Sequence, residues 1–194
     1  VERDGFTVTC GFLGTPHLNP ALCDFGYTQT AYRLLLQQNY PSWLYPILQG
    51  ATTVWERWNS YTIDRGFGGN NGMNSFNHYS LGAVAAWLYE YVLGIGQQED
   101  SVGFRRIRIQ PRMEVLHSAS GYYDTPSGRV AVAWKREGQT VSLEITIPPN
   151  TTAVLVLPKG MALQSGVSQS NRLVSGQYRF LITQLSDTSQ TNTV

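Results

Sequence analysis

The pattern of apolar and polar residues changes once along this chain of 194 residues. In roughly the first hundred residues, apolar side chains recur at the spacing of a helix face, and beyond them apolar and polar residues alternate as in half-buried strands. The change predicts an α+β protein in which helical hairpins, residues 1–100, precede an antiparallel β-sandwich, residues 101–194. The boundary itself is expected between residues 97 and 103.

Start and stop signals divide the first part into short helices. Asn19 suits the N-cap of a first helix, because Pro20 follows it and Gly26 can end it. Thr28 is expected to cap a second helix, and Ser42 is expected to cap a third. Short helices that follow one another in this way predict helical hairpins.

Two further segments of the first part are predicted to be helical. The threonines that open residues 52–58 could cap a short helix carrying Trp55, Glu56 and Trp58. The longest helix is expected over residues 76–93, where apolar side chains keep the i, i+3, i+4, i+7 spacing. These apolar positions are Leu81, Val84, Ala85, Leu88, Tyr91 and Val92.

Strict alternation predicts the strands of the second part. They are expected at residues 106–110, 129–134, 141–147 and 153–157, and a closing hairpin is expected over residues 172–182 around Gly176. Turn residues separate these segments. Short strands at intervals of about 8–12 residues favour an antiparallel sandwich.

Composition and charge narrow the possible partners. Charged residues make up 14% of the chain and the formal net charge is +1, so the basic surface of a nucleic-acid-binding protein is not expected. No apolar run reaches about 18 residues, and no membrane span is expected. Cys10 and Cys23 belong to no set with metal-ligand spacing; they could pair, but separate thiols fit better. Neither a metal nor a cofactor is expected.

The segment around Glu56 is the first candidate for chemistry. Glu56 lies between Trp55 and Trp58 and next to Arg57. One interpretation is a helix-surface glutamate paired with a basic side chain. The other is a functional carboxylate, since indole rings can pack on the apolar face of a sugar and a carboxylate can move a proton at its anomeric carbon.

A second polar and aromatic cluster surrounds His78. Its neighbours are Asn74, Asn77 and Tyr79, and amides and imidazole both donate and accept hydrogen bonds, as recognition of sugar hydroxyl groups requires. The alternative is a histidine at a helix N-terminus that binds a backbone carbonyl. Both interpretations remain open at this stage.

Several blocks of the chain resemble bacterial α-L-rhamnosidases, a family of inverting glycoside hydrolases built on an (α/α)6 barrel. The resemblance covers roughly residues 5–160. The blocks that carry it are Gly11-Phe-Leu-Gly-Thr15, Ala31-Tyr-Arg-Leu-Leu-Leu36, Tyr40-Pro-Ser-Trp-Leu-Tyr45, Gly50-Ala-Thr-Thr-Val-Trp-Glu-Arg-Trp58, Met73-Asn-Ser-Phe-Asn-His-Tyr79, Leu81-Gly-Ala-Val-Ala-Ala-Trp-Leu-Tyr89 and Gly103-Phe-Arg-Arg-Ile-Arg-Ile-Gln-Pro111. The Trp-Glu-Arg-Trp and Asn-Ser-Phe-Asn-His-Tyr blocks are the specific ones.

The resemblance implies roles for individual residues. Glu56 would be the general base that activates water against a terminal α-L-rhamnosyl group. His78, Trp58 and Asn77 would contact the sugar of a rhamnose-containing glycoside. Asn59 stands where the family often has Asp. A bacterial enzyme of this kind would work in the cytoplasm or the periplasm, and the sequence does not decide between them.

The resemblance also implies that the chain is a C-terminal fragment. The family's general acid lies in earlier barrel helices, to which nothing here corresponds, so the chain alone is expected to be inactive. Its helices would expose apolar surface and form a homodimer or bind the missing part. Two alternatives stay open: another inverting glycosidase of the helical-barrel type, and a non-catalytic carbohydrate-binding or scaffold module with a platform of Trp134, Tyr122 and Tyr123.

Overall fold

The structure is a computed structural model that describes residues 1–68, 72–164 and 171–185. The chain divides into two compact units, Val1–Trp87 and Leu88–Val194, here called the first and the second unit. The predicted domain boundary at residues 97–103 stays a prediction. In the described residues, no helix is both long enough and apolar enough to cross a membrane.

Short helices build the first unit. Its α-helices are α1 (Thr15–Asp24), α2 (Thr28–Leu35), α3 (Leu44–Leu48) and α4 (Val84–Trp87), and 3-10 helices cover Glu2–Asp4 and Ser80–Ala83. The buried Trp87 side chain joins α1, α2 and α4, because its ring meets that of Tyr32 edge-on at 5.2 Å and its Nε1 donates to Cys23 Sγ at 3.3 Å. The two cysteines are free thiols.

The first helix begins earlier than the sequence predicts. Helix α1 starts at Thr15 after the N-cap Gly14, and its N-terminal proline is Pro16. Asn19 and Pro20 therefore lie inside the helix, and the prediction of Asn19 as its N-cap is wrong. The Thr15 hydroxyl donates to the Gly11 carbonyl at 2.9 Å, which fixes the turn that leads into the helix.

Backbone hydrogen bonds join two segments that were predicted to be helical, residues 53–56 and residues 75–78. The Glu56 amide donates to the Ser75 carbonyl at 2.9 Å, and the His78 amide donates to the Val54 carbonyl at 2.8 Å. Residues 52–58 are therefore not helical, and the helix predicted from residue 76 begins only at Ser80. It continues through α4 into a π-helix, Leu88–Val92. The β-branched residues at 52–54 disfavour a helix in this segment.

Asn74 connects the two paired segments. Its Oδ1 accepts a hydrogen bond from Arg57 Nε at 3.3 Å, and its Nδ2 donates to the Ser60 carbonyl at 3.2 Å. Trp55 is buried beside the rings of Phe76 and Tyr61, at centroid distances of 5.4 Å and 6.5 Å. The loop that contains Glu56 is thus held by backbone bonds, an amide side chain and an aromatic cluster.

Two sheets form the second unit. The strands are β1 (Ile95–Gln97), β2 (Arg106–Ile109), β3 (Ser118–Thr125), β4 (Gly128–Glu137), β5 (Thr140–Ile147), β6 (Thr152–Leu155), β7 (Met161–Leu163), β8 (Arg172–Leu173) and β9 (Gly176–Gln184). The strand orders are β1-β2-β6-β8 and β3-β4-β5-β9-β7. Every described pair is antiparallel except β2 with β6. The predicted class, helices followed by a sandwich of largely antiparallel sheets, is confirmed.

The closing hairpin predicted over residues 172–182 is wrong. Strand β8 pairs with β6 in one sheet, whereas β9 pairs with β5 and β7 in the other. Gly176 has a φ of 153° and opens β9 after the chain has changed sheets. A run with strand-like composition on both sides of a glycine fits a hairpin and a change of sheet equally well.

Trp134 belongs to the core of the second unit. It is only 2% exposed, and its Nε1 donates to the Val92 carbonyl at 2.9 Å. Tyr122 and Tyr123 are consecutive in β3, so their side chains leave opposite faces of the strand. The predicted platform of these three aromatic residues is therefore wrong.

Large apolar side chains are exposed on the first unit. Leu13 is 92% exposed and Phe25 is 80% exposed. Others on this unit are Tyr27, Leu36, Ile47, Leu48, Ile63, Phe67, Met73 and Tyr79. Exposure on this scale is typical of a surface that packs against another protein segment.

Gly94 provides a stability test of the second unit. Its φ is 75°, and a Cβ at this position would lie 2.2 Å from the Pro111 backbone nitrogen. We expect Gly94→Ala to lower the free energy of unfolding by more than about 2 kcal/mol. Gly138→Ala is the control, since its φ of 63° is similar and its surroundings are open; it should cost about 1 kcal/mol. Equal losses in urea unfolding would contradict the role of close packing.

Asn74 provides a test of the pairing in the first unit. Asn74→Ala removes both hydrogen bonds and is expected to lower the free energy of unfolding by about 1–3 kcal/mol. Asn77→Ala is the matched control, because the Asn77 side chain is exposed and makes no hydrogen bond within the described residues; it should change stability by less than about 0.5 kcal/mol. Chemical denaturation of both variants measures these changes in the free energy of unfolding. Similar values would show that Asn74 does not hold the loop.

Candidate functional site

The Glu56 carboxylate has a fixed orientation. Its Oε2 accepts a hydrogen bond from the Ser75 amide at 2.8 Å, while the Glu56 amide donates back to the Ser75 carbonyl. The side chain is half-buried. Within the described residues Oε1 accepts no hydrogen bond. One oxygen is therefore anchored and the other can take a proton from water.

Glu56 lines a cleft of about 250 Å³. The lining residues are Cys10, Gly11, Phe12, Tyr40, Glu56, Arg57, Trp58, Asn59 and Leu81. Glu56 and Trp58, which the sequence analysis placed in one pocket, meet here. Among the described residues that line the cleft, Glu56 is the only carboxylate. No group of three or more His, Cys, Asp and Glu side chains in the described parts of the chain could hold a metal ion.

The two tryptophans beside Glu56 have different surroundings. Trp58 is half-buried at the cleft, and its ring meets that of Trp43 edge-on at 5.7 Å. Trp43 is held in turn, because its Nε1 donates to the Leu81 carbonyl at 2.9 Å. Trp55 is 6% exposed and belongs to the core. Of these two tryptophans, Trp58 alone lines the cleft.

His78 is not among the residues that line the cleft, but it stacks on Phe12, which does line it. Its ring stacks between Phe12, at a centroid distance of 4.9 Å, and Tyr79, at 5.4 Å. Its Nδ1 accepts a hydrogen bond from the Ser80 amide at 3.3 Å. The neutral imidazole therefore carries its hydrogen on Nε2, which makes Nε2 a donor. Because Nδ1 accepts from a backbone amide, the structure does not support the interpretation of His78 as a histidine that binds a backbone carbonyl.

Phe12 connects His78 to the cleft, and sequence reasoning did not single it out. Its ring lines the cleft and stacks on His78. The only signal for it was its position in the Gly11-Phe-Leu-Gly-Thr15 block. Asn77 does not line the cleft: its side chain is exposed and its amide donates to Ser75 Oγ at 3.2 Å. Its assignment to the sugar stays a prediction.

Family models match both units. The model of the bacterial alpha-L-rhamnosidase 6 hairpin glycosidase domain matches residues 1–92. The model of the bacterial alpha-L-rhamnosidase C-terminal domain matches residues 94–172. These two matches follow the order of helices and sheets along the chain.

Curated proteins similar to the chain are named as alpha-L-rhamnosidases. One from Formosa agariphila is 46% identical over 149 residues, which cover 76% of this chain and 16% of that protein. One from Alteromonas sp. is 40% identical over 178 residues, which cover 88% of this chain and 19% of that protein. The chain thus spans less than a fifth of the length of these relatives.

Solved structures of alpha-L-rhamnosidases share the fold. The Streptomyces avermitilis enzyme complexed with L-rhamnose has a TM-score of 0.81 and 38% identity, and the match covers 93% of this chain and 18% of that one. The native Aspergillus terreus enzyme has a TM-score of 0.81 and 33% identity over 93% of this chain and 20% of that one. The predicted resemblance is confirmed, and the chain belongs to the bacterial α-L-rhamnosidase family.

Proposed function

We propose that this chain supplies the base side of a glycosidase site that hydrolyses terminal α-L-rhamnosyl groups with inversion. The observation that carries the proposal is the Glu56 carboxylate, held through Oε2 by the Ser75 amide at 2.8 Å beside the Trp58 ring of the cleft. The names of the relatives support the substrate class.

The reaction follows from the chemistry of the cleft. Glu56 takes a proton from a water molecule, whose oxygen attacks the anomeric carbon as the bond to the aglycone oxygen breaks. That oxygen needs a proton from a general acid, which in inverting enzymes lies about 6.5–9.5 Å from the base. The described lining of the cleft offers no second carboxylate. We therefore place the acid in other residues of a protein of the relatives' length.

Contacts to the rhamnosyl group would come from side chains around the cleft. Trp58 offers an aromatic surface to the apolar face of the ring, as indole rings do in sugar sites. His78 would donate a hydrogen bond from Nε2 to a sugar oxygen, and Asn77 would contact a further hydroxyl group. An aromatic surface together with directed polar groups suits a deoxy sugar, which has both a methyl group and hydroxyl groups.

The exposed apolar side chains of the first unit would be covered by protein in the active enzyme. Leu13, Phe25 and Ile63 are each at least 71% exposed. The matching family model describes a domain of six hairpins, and packing of such hairpins buries apolar faces. We propose further helical hairpins as the partner, with a second copy of the chain as the alternative in their absence.

Glu56→Gln tests the base. Glutamine keeps an acceptor for the Ser75 amide but cannot take a proton, so the fold should persist while kcat/KM for an aryl α-L-rhamnoside falls by about 10²–10⁴-fold in the full-length enzyme that contains this chain. The control is Glu90→Gln, an exposed glutamate of the π-helix Leu88–Val92.

Two outcomes would contradict this proposal. Near-normal turnover by Glu56→Gln would remove Glu56 from the reaction. Hydrolysis of the same rhamnoside by the 194-residue chain alone would show that the acid lies within this chain. Thermal unfolding of the variant, compared with wild type, separates loss of the base from loss of the fold.

Substitutions of His78 test its hydrogen bond to the sugar. His78→Asn can still accept from the Ser80 amide through Oδ1, but it lacks the distal donor, whereas His78→Gln keeps a donor at that distance. Loss of one hydrogen bond should raise KM about tenfold for the Asn variant and less for the Gln variant. The same loss in both would assign His78 to packing against Phe12. Michaelis–Menten kinetics with thermal unfolding as a control distinguish the cases.

A further inference from the structure

The outer face of the four-stranded sheet carries three arginines. Strand β2 alternates strictly, so its two isoleucines are buried while Arg106 and Arg108 are exposed on the side away from the core. Arg172 of β8 lies on the same side, because Val154 of β6 has Arg108 as its partner on one strand and Arg172 on the other. These three arginines, together with Val154 between the strands, are here called the arginine face.

The four strands contain no carboxylate that would compensate these charges. Within their described residues they have three arginines and neither Asp nor Glu. Arg106 pairs with Asp100 of the preceding loop, with 2.5 Å between Nη2 and Oδ2. The Arg108 side chain makes no hydrogen bond or ion pair within the described residues. The arginine face is therefore positive, although the formal net charge of the chain is only +1.

The charges of the five-stranded sheet are arranged differently. Its exposed basic side chains Arg129, Lys135 and Arg179 each pair with a carboxylate of the same sheet, at 2.8 Å, 2.6 Å and 3.0 Å. Both sheets belong to the second unit. One sheet thus compensates its basic residues internally and the other does not. An anion from outside the sheet would match the charge that the arginine face leaves uncompensated.

The Arg108 guanidinium has a defined position on this face. A Cβ at Gly96, the partner of Arg108 in β1, would lie 3.2 Å from its Nη2, 3.5 Å from its Nε and 3.7 Å from its Cζ. The guanidinium therefore covers the space that the glycine leaves open. A planar group that already rests on the sheet loses less conformational entropy on binding, and its donors form a fork that fits two oxygens of one anion.

The spacing of the arginines fits a polymeric ligand. The backbones at Arg108 and Arg172 are two strand spacings apart, which corresponds to about 9.5 Å. Val154 lies half-buried between them and offers an apolar contact. A polysaccharide with anionic groups combines the matching features, because its rings have apolar faces and its charges recur along the chain. A nucleic acid duplex would call for a larger basic footprint than three arginines on a nearly neutral chain.

We propose that the arginine face is an accessory binding site for anionic polysaccharides, which keeps the enzyme on acidic glycans that contain rhamnose. The choice of a polysaccharide among anionic ligands rests on the proposed function, whereas the charge of the face does not. Arg108 and Arg172 donate hydrogen bonds to carboxylate or sulfate oxygens, and a sugar ring covers Val154. The site lies within the second unit and includes none of the residues that line the Glu56 cleft.

Binding of three polysaccharides to the full-length enzyme that contains this chain tests the site. Isothermal titration calorimetry should show binding of sodium polygalacturonate or dextran sulfate, and the tighter of the two identifies the anionic group. Neutral dextran should not bind. Arg108→Gln and, separately, Arg172→Gln are each expected to raise the Kd of the tighter ligand about fivefold, as the loss of one exposed ion pair can do. Absence of binding to both anionic polysaccharides would overturn the proposal.

Arg179→Gln is the matched control. Arg179 is also an exposed strand arginine of the second unit, but it pairs with Glu144 on the other sheet, so the Kd should equal that of wild type. Equal losses in all three variants would reveal a response to net charge alone and overturn the site. Equally tight binding of double-stranded DNA would overturn the assignment to glycans. A lower Tm of Arg108→Gln and Arg172→Gln with unchanged Kd would assign the face to packing against protein.

Hydrolysis of an aryl α-L-rhamnoside, measured on the same preparations, separates this inference from the proposed function. Hydrolysis by the wild type without binding of either anionic polysaccharide would overturn the arginine-face site alone. Binding that depends on Arg108 and Arg172 in an enzyme without rhamnosidase activity would contradict the proposed function and leave the site standing. The small rhamnoside carries no anionic group, so Arg108→Gln and Arg172→Gln should hydrolyse it at the wild-type rate.

Discussion

The geometry of the first unit depends on the backbone pairing between residues 53–56 and 75–78. This pairing brings the Glu56 carboxylate to the Ser75 amide, and the same segments place Trp55 in the aromatic core and His78 against the Phe12 ring. The mutual hydrogen bonds of the two segments give the Glu56 carboxylate a defined position.

The sequence predicted the strands well wherever one face of a strand is buried. In β4 and β5 the apolar residues alternate because they face the core, and the pattern therefore records the fold directly. Strand β3 escaped prediction because its residues, Ser118–Thr125, are mostly small or polar and largely exposed. The helical prediction for residues 52–58 failed for a different reason: the local sequence cannot reveal a pairing with the distant residues 75–78.

The sequence predicted only part of the candidate site. Glu56 and Trp58 are neighbours in sequence, and the structure places them in one cleft. His78 was singled out for its polar neighbours, yet it reaches the cleft through Phe12, which comes from the start of the chain. Such contacts between distant parts of the chain depend on tertiary packing, and the neighbouring residues in the sequence do not reveal them. The assignment of Trp134 to a surface was wrong because Trp134 lies on the same face of β4 as the buried Val130 and Val132.

The hydrogen bond that anchors Glu56 has a consequence for how residue 75 can vary. Its hydrogen bond comes from the main chain of residue 75 and not from the serine side chain. Genetic drift at this position can therefore exchange the side chain among many types without releasing the carboxylate, and only proline, which has no amide hydrogen, abolishes the donor. Sequence variability at residue 75 among relatives would thus be compatible with an invariant mechanism. A count of conserved side chains around Glu56 would overlook the main-chain amide that holds its carboxylate.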